Sequence, residues 1–164
     1  MTDYQYLINI DYMSHQKNIT YKMRQILVDW LIEVATEYKL RQQSIHLAII
    51  LLDKYLSIDV IEMKELQCVG IVCLNLAQKY EEIYPEPIEE FVHISDKAYN
   101  STEIVQMELR ILNKLEYKLI YETPYQYLRY FKNKKNMSLK NYYFSVYLCL
   151  NMFMYTYYLA FCTT

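Results

Sequence analysis

Residues 64–82 read KELQCVGIVCLNLAQKYEE, and this stretch decides the fold class. From Cys68 to Ala77 it is apolar on most sides at helical pitch. A helix of that kind is satisfied only when surrounded by protein. A buried central helix is therefore expected from about Glu62 to Glu82. It contains Gly70, the single glycine of the chain. A mid-helix glycine costs roughly 1 kcal/mol against alanine, so close helix packing is expected there. Pro85 and Pro87 stop the helix and open a short fourth one, Ile88 to about Ile94.

Working outward, a first helix starts after Thr20, a suitable N-cap, and runs to about Leu40. A second covers Ile45 to Leu56. Asn100 with Glu103 three residues later has the pattern of a capping box and opens a fifth helix that ends near Leu115. Beyond Pro124 a helical stretch, Tyr125 to Phe131, precedes a basic loop, Lys132–Lys135, and a long segment from Leu139 to about Phe161. A short amphipathic helix is expected over Asp3 to Met13. The fold class is all-α: one glycine and three prolines in 164 residues leave few places for β-turns.

Composition narrows the function classes. Hydrophobic residues make up 54% and charged residues 22%, a globular balance with enough chain to bury a core without metals or disulfides. The formal net charge is −2, and the 17 basic residues are spread along the chain, which argues against a nucleic-acid partner. Cys68, Cys73, Cys149 and Cys162 form no C-x-x-C pair and no zinc-ligand spacing, so they read as reduced core thiols and no metal or cofactor is expected. Met1 to Ile10 has no basic flank followed by an apolar run, so an intracellular location is expected. Asn141 to Thr164 carries no charge but holds six tyrosines, Ser145, Asn151 and Thr156; a soluble, buried or partner-facing helix fits this better than a membrane span.

Catalytic motifs are missing. His15, His46 and His93 fall in separate expected elements with no nucleophile motif beside them. One glycine rules out a glycine-rich phosphate loop. Glu81, Glu82, Glu89 and Glu90 read as a solvated helix end.

Four segments together resemble the cyclin box of A/B-type (mitotic) cyclins: MRQILVDWLIEVATEYKL at 23–40, SIHLAIILLDKYLS at 44–57, KELQCVGIVCLNLAQKYEEIYPEPIEEFV at 64–92 and QMELRILNKLEYKL at 106–119. They fall in the family's order without detectable gaps. The resemblance implies a cyclin fold with an N-terminal arm at residues 1–19, one complete five-helix box at 20–123, and the first helices of an incomplete second box at 124–164. The family's second box continues for about three more helices, so a shortened form or part of a longer product is expected. Arg24–Leu27 matches the letters of the family's Arg-x-x-Leu destruction motif but falls inside a packed helix, and is read as coincidence.

The resemblance also implies a function. A cyclin is not an enzyme; it binds and activates a cyclin-dependent protein kinase in nucleus and cytoplasm and docks its substrates. Lys79 and Glu108 stand where cyclins place their kinase anchors. Tyr80, Glu81, Glu82 and Ile83 extend that surface, and Tyr117 takes the place of an aromatic against the kinase. From spacing alone, Lys79 and Glu108 equally fit ordinary surface charges at the rim of apolar stretches.

On the first helix Met23, Ile26, Leu27 and Trp30 share a sector of roughly 100° bordered by Asp29, Glu33 and Glu37. Periodicity alone also fits core packing, above all for Leu27. The resemblance makes Met23, Ile26, Leu27, Trp30 and Glu33, with Leu66 and Gln67, a docking groove for partners bearing Arg-x-Leu. Two rival readings are a cyclin-fold scaffold for transcription factors and a kinase-binding chain that has lost activation.

Overall fold

The computed structural model describes residues 12–135 and 137–154; these form seven α-helices and two short 3-10 turns, with no strand among them. Thr20 Oγ1 accepts the Met23 N–H at 3.3 Å and starts α1 (Tyr21–Glu37). Helix α2 spans Gln42–Ile58, longer at both ends than its apolar stretch, because helix formers such as Gln42 and Gln43 extend it without adding periodicity. A 3-10 turn, Met63–Glu65, leads into α3 (Leu66–Glu81), and α4 covers Ile88–Ile94. The capping box forms reciprocally: Asn100 Oδ1 accepts from Glu103 N at 3.0 Å and Glu103 Oε2 from Asn100 N at 2.8 Å, opening α5 (Ser101–Lys114). Helices α6 (Pro124–Lys135) and α7 (Leu139–Met154) follow.

Two expectations need correction. Lys132–Lys135 is not a loop but the last turn of α6. Its cations find aromatic faces, Lys132 Nζ 4.3 Å from the Tyr142 ring centre and Lys134 Nζ 4.8 Å from that of Tyr130, so a charge run that reads as solvated stays helical. The expected helix over Asp3 to Met13 lies largely outside the described residues; Tyr12–His15 form the first 3-10 turn. The end of the segment expected to reach Phe161 also lies outside them.

Every residue of α3 from Cys68 to Gln78 is buried, and α2 packs along it while α1, α4 and α5 complete the surround. Each large side chain removed from water here contributes roughly 1.5–3 kcal/mol. Gly70 marks the closest approach: a Cβ on it would stand 2.8 Å from Leu27 Cδ1 and 2.9 Å from Cδ2, inside contact distance in a packed core. With that glycine committed mid-helix, other residues must close the helices. Lys39, Asp96, Lys97, Glu116 and Tyr117 take left-handed backbone after α1, α4 and α5, with φ between 51° and 59°.

A buried polar cluster ties three elements together. Arg24 and Asp53 are nearly solvent-free. Arg24 Nε and Nη2 donate to Asp53 Oδ1 and Oδ2 at 2.6 and 2.5 Å, and the Tyr12 hydroxyl donates to Oδ1 at 2.5 Å. The N-terminal turn, α1 and α2 thus meet on one carboxylate. Gln16 adds a second clasp: its Nε2 donates to the carbonyls of Leu56 and Asp59 at 2.7 and 2.6 Å, and its Oε1 accepts from Ile61 N at 3.2 Å.

Helices α6 and α7 pack on one another and reach α2 and α1 respectively. The fully buried His46 ring lies 5.7 Å from that of Tyr125. Burial pushes the His46 pKa down to about 4. The unfolded chain takes up this proton near pH 6.5, the folded chain only near pH 4. The His46 contribution is therefore complete above pH 6.5 and fades as the pH falls toward 4, by about 3 kcal/mol in all. Urea titrations across that window should show His46→Phe losing less stability than wild type on acidification; parallel pH dependences would rule this out.

Candidate functional site

Lys79 stands in the last turn of α3 with its side chain half-exposed, and Glu108 projects from the middle of α5 with 15% of its side chain exposed. Nζ of Lys79 lies 2.7 and 2.8 Å from the two Glu108 carboxylate oxygens, and Asn75 Nδ2 donates to Glu108 Oε2 at 3.3 Å. The two residues singled out from the sequence therefore meet, and each is the other's partner. Apolar side chains are exposed on the same two stretches of chain: Tyr80, Ile83 and Tyr84, at 50%, 69% and 90%, follow Lys79, and Tyr117, just beyond α5, is also exposed.

Sequence reading missed part of this surface. On α5 the core stripe is Ile104, Met107 and Ile111, while Val105 and Leu109 are exposed. At about 100° per residue these two and Leu112 form a second apolar strip on the Glu108 side of the core stripe. Two exposed apolar residues four apart, off the buried stripe, were the available signal. Tyr84, the most exposed of all, lies between α3 and Pro85 and carries no periodic signal.

Glu82 also has a role within the fold. Its Oε1 accepts from Arg41 N at 2.7 Å and Ser44 Oγ at 2.6 Å, and its Oε2 lies 3.5 Å from Arg41 Nε. The carboxylate thus caps the start of α2, whose own N-cap residue supplies no side-chain bond. Glu81 is half-buried, and its carbonyl accepts from Arg41 Nη1 at 3.4 Å. Tyr117 sits on left-handed backbone, its hydroxyl donating to Asn113 Oδ1 at 3.2 Å.

The opposite side of α5 is pinned. Arg110 Nη2 meets Asp59 Oδ2 at 2.9 Å, Arg110 Nη1 meets Glu65 Oε1 at 2.6 Å, and Lys114 Nζ meets Asp59 Oδ1 at 3.0 Å. Such pairs are individually weak, but together they fix α5 against the α2–α3 connection, and with it the position of Glu108.

The second surface lies where α1 meets α3. Ile26 and Glu33 are exposed, Met23 and Trp30 are half-buried against the core, and Gln67 is half-buried at the start of α3. Leu27 and Leu66 are only 6% exposed, so they belong to the core as floor rather than open wall. Leu27 holds α1 against Gly70, which sets the spacing of the two helices. The open apolar groups are therefore Met23, Ile26 and Trp30, with Asp29 and Glu33 exposed on the same helix.

Among the described residues no three His, Cys, Asp or Glu side chains converge as a metal site, and no helix is long and apolar enough to cross a membrane. Cys68 and Cys73 are buried in α3, and burial pushes the Cys68 thiol up to about 11, as suits packing residues.

Comparison with known proteins adds to this geometry. The family model described as "Cyclin, N-terminal domain" matches residues 1–120. The G2/mitotic-specific cyclin S13-7 of Glycine max is 44% identical over 118 residues, covering 72% of this chain and 46% of its own length. The G2/mitotic-specific cyclin-B of Emericella nidulans is 38% identical over 134 residues, 82% of this chain and 28% of its own. Cyclin-A2 of Gallus gallus is 44% identical over 127 residues, 77% of this chain and 32% of its own. This chain thus spans less than half the length of these relatives. The crystal structure of a viral cyclin from herpesvirus saimiri shares the fold, with a TM-score of 0.73 at 21% identity over 80% of this chain and 57% of that one.

Proposed function

The chain belongs to the cyclin family, in its A/B-type (mitotic) branch, and on that premise we propose that it binds and allosterically activates a cyclin-dependent protein kinase and docks its substrates. The observation that carries the reading is the Lys79–Glu108 pair, which bridges α3 and α5 beside the exposed apolar groups Tyr80, Ile83, Tyr84 and Leu109. Apolar anchors beside charges that can turn to a partner are the make-up of an interface hot spot. On docking, Lys79 would exchange Glu108 for acceptors on the kinase, and Glu108 would take its donors.

Such a subunit supplies no catalytic group. A kinase is active when a glutamate of its regulatory helix pairs with the ATP-positioning lysine, so that helix must be held inward. A rigid helical surface that binds the inward arrangement more tightly shifts the population toward it. Moving that switch from 1:99 to 99:1 takes roughly 5.5 kcal/mol of differential binding, within reach of a standard-sized interface. Adding the chain to an inactive monomeric cyclin-dependent kinase should raise phosphotransfer strongly. Binding without a rise in activity would leave a scaffold; no binding to a panel of such kinases would overturn the reading.

The α1–α3 surface is proposed to hold substrates or inhibitors bearing Arg-x-Leu. Trp30 and Ile26 suit the leucine, and the exposed Asp29 and Glu33 carboxylates suit the arginine. Trp30→Ala should weaken binding of an Arg-x-Leu peptide at least tenfold while leaving kinase binding unchanged; equal affinity in a calorimetric titration would remove the groove. No nucleic-acid partner is proposed, and the site of action is proposed as nucleus and cytoplasm.

A further inference from the structure

Two carboxamides inside α3 have no counterpart in the apolar pattern that buries that helix. Asn75 and Gln78 are both fully shielded from solvent. A buried amide that satisfied nothing would cost roughly 1–3 kcal/mol, so what these two hold explains their presence. Gln78 Nε2 donates to the Glu86 carbonyl at 2.9 Å, and Gln78 Oε1 accepts from Glu86 N at 3.0 Å. One side chain thus reads both backbone groups of a residue eight positions on and closes the segment that carries Ile83 and Tyr84. The second Nε2 hydrogen goes to Asn75 Oδ1 at 3.2 Å, and Asn75 Nδ2 donates onward to Glu108 Oε2 at 3.3 Å. The chain of bonds ends at Lys79, whose amine meets both Glu108 oxygens.

We infer that Asn75 and Gln78 are positioning residues that set the Glu108 carboxylate and the 82–87 segment in one arrangement, so that the charged anchor and the apolar groups Ile83 and Tyr84 are presented to a partner together. The inference rests on the kinase-docking reading and deepens it. The geometry is directional. Because Gln78 Oε1 is taken by an N–H, its amino group must face Asn75; because Asn75 Oδ1 receives that amino group, its own must face Glu108. Each amide orientation fixes the next, and a connected network of this kind is stiffer than its separate bonds. A loop held this way binds without first being ordered, which is where preorganised surfaces gain affinity.

The test is a double-mutant cycle between Asn75 and Glu108 read by kinase affinity, with Gln78→Met and backbone hydrogen exchange alongside. Asn75→Leu removes the link to Glu108, and Gln78→Met removes the clasp on Glu86. Each should weaken binding of a monomeric cyclin-dependent kinase about five- to twentyfold in the wild-type background. In Glu108→Ala, Asn75→Leu should change affinity less than twofold, since the group it positions is gone. A purely structural role would give the same factor in both backgrounds, and that outcome overturns the inference. In Gln78→Met the Glu86 amide should lose its protection while amides of α2 keep theirs, which separates loss of the clasp from loss of the fold; unchanged Glu86 protection overturns the inference as well. If the wild-type chain binds no kinase of the panel, the kinase reading fails by itself, and the exchange at Glu86 still decides whether Gln78 holds the segment.

Discussion

Arg24→Ala should lower the stability of the chain by about 3–5 kcal/mol. The size follows from what is left behind. Asp53 would keep the Tyr12 hydroxyl but lose both guanidinium bonds at a site from which water is excluded. A carboxylate stranded in that way is either held at a high desolvation cost or neutralised, and both destabilise. Folded domains are stable by only about 5–15 kcal/mol, so a visible unfolded fraction is expected at 37 °C. The triple replacement Tyr12→Phe/Arg24→Met/Asp53→Val removes both charges and the hydroxyl bound to Asp53 with little change in volume; it should recover most of the loss in urea titrations followed by circular dichroism. A cost below about 1 kcal/mol for Arg24→Ala would mean that the pair is effectively solvated. The same burial bears on the Arg-x-x-Leu letters at residues 24–27: Arg24 is held by Asp53 inside the fold rather than displayed on its surface.

What was legible in the sequence was what is local. The N-cap at Thr20, the capping box at Asn100 and Glu103, the prolines that bound α4 and the apolar girth of α3 each act within a few residues, and the structure shows each of them. Long-range polar contacts were not legible. Arg24 and Asp53 are 29 positions apart, and Glu82 caps a helix that starts 40 residues earlier. Nothing in either residue's neighbourhood announces its partner. Lys132–Lys135 misled for the related reason that a lysine reads as solvated until the ring beneath it is known. At the candidate site, the resemblance to cyclins picked out Lys79 and Glu108. It did not reveal that they pair with one another, or that Asn75 and Gln78, two polar interruptions in an apolar run, connect them to the segment that follows.

Replacing both Lys79 and Glu108 by alanine should abolish kinase activation while hardly moving the melting temperature. The contrast with Arg24 is one of solvent. The Lys79 side chain is 45% exposed, and ion pairs with one arm in water contribute about 0–1 kcal/mol to folding. As interface anchors the same two groups would be worth about 2 kcal/mol or more each, which puts the loss of kinase affinity at roughly a hundredfold to a thousandfold. Alanine alone does not say whether the pair matters to the partner or to the spacing of α3 and α5. The swap Lys79→Glu/Glu108→Lys does. It rebuilds the internal ion pair with its polarity reversed, so the helices keep their bridge and lose only the Asn75 Nδ2 bond, which a lysine amine cannot accept, but it shows the kinase a negative charge where it expects a positive one. Melting close to wild type together with no activation would assign the two residues to the partner. Activation retained by the swap would assign them to the fold, and the docking face would have to be sought in the apolar groups alone.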